Sequence, residues 1–314
     1  MSTENKSLCA AFWQHTNIRP GDRVYPCCRF KASIKKFDGD LENILDSKEY
    51  KNLQNLSKQG KKINGCEKCY YEEEIGHKSL RQEFNEKYSF EKKLTYLEIG
   101  MDNLCNMACD GCNSEFSTQW MAIEKEKYGK PLHGHLKVAD INKIPESVEK
   151  ILFLGGEPLL TDKHLSLLKT HPQPNKCHVV YNTNTSIIPN KNCTDVWSNF
   201  AKVSFIASID GYKEANEKVR KGSDWKQTVN FLEWTINNSY DLQINSVIHK
   251  NNLFEMFKLE KFIKNYTPNW YVNVLTYPFE LDIKNTPNSE LEKFKLKLEK
   301  SNIPNKEFIT NHIN

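Results

Sequence analysis

Residues 94–112, LTYLEIGMDNLCNMACDGC, join a short apolar run to a loop that carries Cys105, Cys109 and Cys112. The run has strand length and is rich in apolar residues. The loop then offers three thiols within eight residues. Thiolates are the ligands of iron–sulfur clusters and of structural zinc. Three sulfurs from one side leave one corner of such a site without a protein ligand. An open corner is where a metal acts on a bound small molecule. The other reading of the loop is a zinc site that borrows a distant thiol, Cys177 or Cys193.

Working outward from this loop, strand-like runs alternate with helix-like segments. The runs are LTYLEIG, KILFLGG, CHVVYNTNT, KVSFIASIDG, LQINSVIH and WYVNVLTY, and the segments between them include EFSTQWMAIEKEKYG and WKQTVNFLEWTINN. Such alternation predicts βαβ units and a parallel sheet. Six units fall short of the eight of a closed TIM barrel. The expected fold is therefore α/β, a partial (β/α)6 TIM-type barrel with a small N-terminal cysteine-rich module. A doubly wound sheet is the alternative that periodicity leaves open. In both folds the carboxyl ends of the strands carry the site, which is where the three-cysteine loop falls. The expected divisions are 1–88 for the module and a bridging helix, 89–285 for the barrel, and 286–314 for a C-terminal helix and frayed end.

With 314 residues, 38% of them hydrophobic, the chain can bury a sizeable core. Its longest apolar runs are far shorter than the ~18 residues of a membrane span. The start, MSTENKSLCAAFW, lacks a basic region followed by an apolar run, so we expect a cytoplasmic protein. A net charge of +4 spread along the chain argues for a solvated surface and against nucleic acid. Ten cysteines without an export signal point to metal or redox chemistry before disulfides. Cys177 and Cys193 read as isolated buried thiols, and His133–His135 as a solvated loop.

The C-x3-C-x2-C loop after one strand, with LGGEP at the end of the next, resembles the radical S-adenosylmethionine (radical SAM) superfamily over residues 94–280. The resemblance implies that Cys105, Cys109 and Cys112 hold a [4Fe–4S] cluster whose fourth iron is chelated by S-adenosylmethionine (SAM). It implies that Gly155, Gly156 and Glu157, with Pro158, meet the SAM amino group. Asn182, in NTN, and Ser208 and Asp210, in SID, match polar positions near SAM, the last two suited to the ribose. Arg220 matches an arginine that pairs with the SAM carboxylate, and Ser246 and Val247 fall near the adenine site. In one departure, Gly111 stands where the family usually has a bulky residue before the third cysteine. No residue is assigned to the hydrogen-transfer step itself.

Upstream, CAAFWQHTNIRPGDRVYPCC and, after a gap, CEKC resemble the twitch or SPASM-type auxiliary cluster modules of that superfamily. The resemblance implies a second, closed [4Fe–4S] cluster on Cys9, Cys27, Cys66 and Cys69, with Gly21 in the hairpin between. Cys28 competes with Cys27, which fits the spacing better. Here the module precedes the barrel, where it usually follows. Four-cysteine zinc is the alternative occupant. The implied activity is reductive cleavage of SAM to a 5′-deoxyadenosyl radical that takes hydrogen from a substrate. A peptide or protein is the leading substrate, with a small metabolite or nucleotide-derived compound second. A low-potential electron donor is the implied partner, and a non-catalytic iron–sulfur or zinc binding protein is the competing class.

Overall fold

The computed structural model describes residues 5–313, so the first four residues of the start quoted above and Asn314 of the tail lie outside the described residues. The N-terminal segment makes one helical turn, α1 (Ala11–Gln14), which runs directly into β1 (His15–Arg19). A hairpin around Gly21 returns the chain as β2 (Arg23–Tyr25), and β3 (Lys35–Lys36) pairs with β2. Helix α2 (Lys48–Lys58) is capped by Ser47, whose side chain accepts from the Tyr50 amide. The Tyr50 hydroxyl is buried and donates to the carbonyls of His15 and Tyr25, which ties α2 to the hairpin. The charged stretch expected to be one bridging helix is two, α3 (Glu67–Glu74) and α4 (Leu80–Lys87). Gly76, with φ +77°, breaks the first, and a Ser79–Gln82 capping box starts the second.

The barrel strands then follow: β4 (Tyr96–Gly100), a two-residue β5 (Ala108–Cys109) in the cysteine loop, β6 (Lys150–Leu154), β7 (His178–Thr183) and β8 (Lys202–Ser208). The two-residue β9 (Arg220–Lys221), β10 (Asp241–Ile248) and β11 (Trp270–Val274) complete the set. The helices between are α5 (Trp120–Tyr128), α6 (Lys163–Leu168), α7 (Lys191–Trp197), α8 (Glu214–Val219), α9 (Trp225–Asn237) and α10 (Met256–Ile263).

The main sheet has the order β11-β10-β8-β7-β6-β4-β1-β2-β3. From β4 to β11 the six long strands are laid down in chain order and every neighbouring pair is parallel. A doubly wound sheet would reverse direction at a switch point. None occurs here, so the partial barrel is the architecture and the doubly wound alternative falls. The sheet does not close on itself. On the β4 side it continues into the N-terminal segment, because β1 pairs in parallel with β4, His15 beside Tyr96 and Asn17 beside Glu98. Pairing thus crosses residues 88/89, and the first strand of the sheet's parallel face comes from the cysteine-rich segment.

Strand alternation separates two faces. Ile18, Leu97, Ile99, Phe153, Tyr181, Phe205, Ile244 and Val272 point to the helices and make the main core. Phe12, Trp13, Phe30, Leu53 and Phe84 form a second core under the N-terminal segment, joined by Tyr96 of β4. At the other end, α11 (Asn288–Glu299) is the expected C-terminal helix, but the end expected to fray is a further helix, α12 (Lys306–Ile313). Ile309 is buried and the His312 ring lies 2.9 Å from Asp282, so this tail is packed onto the barrel. The N-terminal segment also reaches the far edge of the sheet: Arg29 pairs with Glu72 and donates to the Tyr271 hydroxyl of β11 at 3.5 Å, and His77 packs on Phe308. Among the described residues no helix is long and apolar enough to cross a membrane.

Candidate active site

The loop after β4 is held by its own neighbours before any ligand is considered. Asn103 is fully buried and its amide donates to the carbonyls of Ser114 and Gly134. Ser117 donates to the Met107 carbonyl, Thr118 to that of Cys105, and the Trp120 indole to that of Cys109. A short ribbon holds the other side: β5 pairs antiparallel with β9, Cys109 beside Arg220, and the Asp110 amide donates to the Val219 carbonyl at 2.7 Å. Sequence reading missed this ribbon, because two-residue strands carry no periodic signal. Burial raises the pKa of all three thiols, Cys112 to about 12. Uncompensated, they stay protonated at neutral pH, and a bound cation is what would hold them as thiolates.

The GGEP turn after β6 is bonded to the same loop. The Gly156 amide donates to the Asp102 carbonyl and the Glu157 amide to that of Leu104, at 3.2 and 2.7 Å. Any side chain at Gly156 would collide with the Leu104 carbonyl. A Cβ at Gly155, where φ is +117°, would stand 2.8 Å from the Asp102 carbonyl. The glycines therefore have a structural reason of their own: they let two loop backbones touch. Glu157 is buried, and its carboxylate accepts from the Leu159 amide, the Thr183 hydroxyl and the Asn184 amide. These hydrogen bonds join the β6 turn to the end of β7. Burial pushes its pKa up to about 7, although those donors and the Arg220 charge pull the other way.

Of the NTN asparagines, Asn184 is the one at the cysteine loop. Its amide donates to Asn106 at 2.9 Å and points at the Cys105 sulfur at 3.7 Å. Asn182 lies two residues back on the inner face of the sheet and accepts from Ser208 at 3.2 Å. Asp210 is buried and already engaged: it accepts from Arg220 at 2.7 Å and from the Val247 amide at 2.7 Å. Ser246 is corrected outright. It faces the helices, donating to the Ile209 carbonyl and accepting from the Trp270 indole, and so cannot line a site on the inner face. Arg220 spans the region, with Asp210 on one nitrogen while its buried Nε has no hydrogen-bond partner among the described residues. A buried guanidinium N–H without an acceptor is a place where a carboxylate would be welcome. Opposite, a Cβ on Gly111 would come within 2.8 Å of the Leu275 side chain. The bulk missing at Gly111 is supplied from the loop after β11.

Neither lone thiol can complete the three-cysteine loop. Cys177 precedes β7 at the amino end of the sheet and Cys193 sits in α7, both buried in the helical core. The zinc reading that borrows them falls with that placement. In the N-terminal segment, Cys9, Cys27, Cys66 and Cys69 line one small enclosed cavity with Phe12, Tyr70 and Phe84. Burial raises all four thiols, Cys9 to about 12. Cys28 is not on this cavity. It is exposed, and its carbonyl accepts from Arg19. Among the described residues no group of three or more His, Cys, Asp or Glu is arranged to hold a single metal ion.

No family model matches the sequence. Among curated proteins the chain is similar to GTP 3′,8-cyclase of Campylobacter lari, 25% identical over 181 residues, which is 56% of this chain and 54% of that protein. The chain thus spans about half the length of this curated relative. Among solved structures, Streptococcus suis SuiB is 14% identical, with 81% of this chain and 52% of that one covered at a TM-score of 0.44. The protein anSMEcpe, solved with bound AdoMet, is 18% identical, with 59% and 52% covered at a TM-score of 0.43. At these scores both resemblances are partial. With its C-x3-C-x2-C loop, the GGEP turn bonded to that loop and its singly wound parallel sheet, the chain resembles the radical SAM superfamily.

Proposed function

We propose that this chain is an enzyme that cleaves SAM reductively and uses the resulting 5′-deoxyadenosyl radical to take hydrogen from a peptide or protein substrate. A [4Fe–4S] cluster on Cys105, Cys109 and Cys112 would supply the electron, delivered by a low-potential donor. The protein's own part is binding, orientation and exclusion of water. Gly155 and Gly156 keep the β6 turn against the cysteine loop, and Glu157 holds that turn to β7. The free Nε of Arg220 is the group suited to the SAM carboxylate, with Asp210 keeping the guanidinium in place. Ser208 and Asn182 offer hydroxyl and amide contacts on the inner wall. The observation that carries this reading is the joining of the cysteine loop to both motifs, through the Leu104–Glu157 bond and the Cys109–Arg220 pairing.

A second [4Fe–4S] cluster on Cys9, Cys27, Cys66 and Cys69 is part of the proposal. It is supported by their sharing one cavity from which Cys28 is excluded. With four thiolates that site has no corner for SAM. Its role is electron relay, substrate anchoring or support of the β1 edge.

Anaerobic reconstitution followed by reduction in the presence of SAM tests the reading. Release of 5′-deoxyadenosine is expected, and its complete absence would leave a non-catalytic cluster protein. A nucleotide-derived substrate is the second reading, favoured by the name of the C. lari relative. Deuterium transfer into 5′-deoxyadenosine from labelled peptides against labelled nucleotides separates the two.

A further inference from the structure

On the inner face of the sheet, beside Ser208, stands a pair of residues to which no role has been given. β10 alternates cleanly: Leu242, Ile244, Ser246 and Ile248 are buried toward the helices, while Gln243, Asn245 and Val247 are half-buried on the opposite face. Asn245 lies between Ser208 of β8 and Tyr271 of β11 in the strand register. The Gln243 amide donates to the Asn245 side-chain carbonyl at 2.6 Å. That bond uses one amide N–H and one amide carbonyl. It leaves the carbonyl of one residue and the NH2 of the other free, whichever way the two amides are turned. Among the described residues no other side-chain hydrogen bond takes up either free group.

We propose that the linked Gln243–Asn245 pair reads the backbone of one residue of an extended peptide substrate. This rests on the SAM-dependent peptide reading above and deepens it. A residue in an extended chain turns its N–H and C=O to the same side, separated along the strand. Two amides in series, with a free acceptor and a free donor flanking their shared bond, match that separation. A purine edge instead sets donor and acceptor side by side, within reach of a single Asn or Gln. Asn182, Ser208, Tyr271 and Asn273 share the inner face with the pair, and the charges that reach this wall, Arg29 at the Tyr271 hydroxyl and Glu72, are paired with each other. Recognition by the pair itself is by hydrogen bonding between neutral groups, as peptide backbone requires. Because Asn245 neighbours Ser208, a peptide on the pair lies beside the proposed SAM site.

The test uses reconstituted full-length protein with SAM and a pool of acetylated, amidated tripeptides, observed by saturation-transfer NMR. A second pool carries an N-methyl group on the central residue. The unmethylated pool should bind, and the methylated pool should bind roughly tenfold more weakly, the effect of one lost hydrogen bond in a partly desolvated site. Asn245→Asp keeps the shape of the side chain but removes its donor, and should reduce binding of the unmethylated pool by about the same factor. Asn245→Leu should do so too. Equal binding of the two pools, or variants that bind like wild type, would overturn the proposal. So would binding of guanosine or adenosine nucleotides with the same dependence on Asn245, which would assign the pair to a base edge. Release of 5′-deoxyadenosine by wild type is measured separately. If it occurs and no peptide binds, the subsite falls alone; if it never occurs, the SAM reading falls.

Discussion

The two cysteine sites of this chain are built in opposite ways. Cys105, Cys109 and Cys112 come from one loop of eight residues, fixed by a ribbon and by side chains within the same loop and α5. Cys9, Cys27, Cys66 and Cys69 come from three separate places: the start of α1, the turn after β2, and the head of α3. They meet around an enclosed cavity. The first arrangement holds its thiols locally and leaves one side open to the GGEP turn and Arg220. The second gathers its thiols around one small cavity in a segment that, through β1, becomes part of the barrel sheet. An open site needs local rigidity, since no ligand from the far side holds it together. A closed site can recruit ligands from anywhere, because the ligands themselves fasten the segments.

The sharpest way to break this comparison is to remove one thiol from the open site. Cys105→Ala should lower iron in anaerobically reconstituted protein from about eight to about four atoms per chain. Formation of 5′-deoxyadenosine should fall to background. If four irons remain in wild type alongside one zinc, the closed site is zinc and the contrast becomes one of metals. Next comes the choice between neighbours in the closed site. Cys27→Ala should lose about four irons, while Cys28→Ala, lying outside the cavity, should keep about eight. The reverse result would move the cavity ligand to Cys28.

Legibility in the sequence follows the same division. The cysteine loop and the GGEP turn could be picked out as neighbours, because the spacing is a property of one loop and GGEP is a property of one turn. The six barrel strands were legible for a similar reason, since each carries its own apolar period. Cys27 and Cys28 are adjacent, so spacing only favoured one, and it took the folded hairpin to put Cys28 outside the cavity. The parallel pairing of β1 with β4 could not be read: HTNIR has little apolar pattern, and its buried polar face depends on Glu98. That carboxylate accepts from Asn17 and Tyr96 and faces His15 at 3.5 Å, contacts between residues some eighty positions apart in two of the three cases. Ser246 was misplaced because a strand turns successive residues to opposite faces, and one position decides between site and core.

A smaller effect tests whether the open site is held by backbone or by charge. Glu157 has its pKa raised from the ordinary 4.5 to about 7 by burial. Below pH 4.5 it is protonated in both folded and unfolded chains. Between 4.5 and about 7 the unfolded chain loses the proton while the folded one keeps it, so the folded state becomes progressively less favoured. Apo wild type should therefore lose on the order of 3 kcal/mol through this group across that window, and little more above it. Glu157→Gln should remove that slope. At acid pH it should cost on the order of 1 kcal/mol or less, because the protonated acid it replaces already turns its own O–H toward one of the same donors. Urea unfolding of both proteins at pH 5 and pH 8 measures the two effects. Parallel curves would show that the carboxylate is ionised throughout, and that the three donors outweigh burial.

The smallest effect concerns the seam between the open site and the last strand. Gly111 has φ +77°, and a Cβ there would press on Leu275 at 2.8 Å. Gly111→Ala thus meets two obstacles, a left-handed backbone and a collision, together costing about 1–2 kcal/mol. Leu275→Ala removes the collision and leaves the backbone conformation. The double variant should therefore recover part of the loss, and the coupling from a double-mutant cycle reports the contact alone. A coupling near zero would mean that Leu275 swings away freely, so that the loop after β11 does not brace the cysteine loop. A coupling of about 0.5 kcal/mol or more would make Leu275 the tie between the first and last strands of the barrel at its open end. The closed site has the matching tie in Arg29 and Tyr271, so the two cysteine sites would then each fasten one part of the same gap in the barrel.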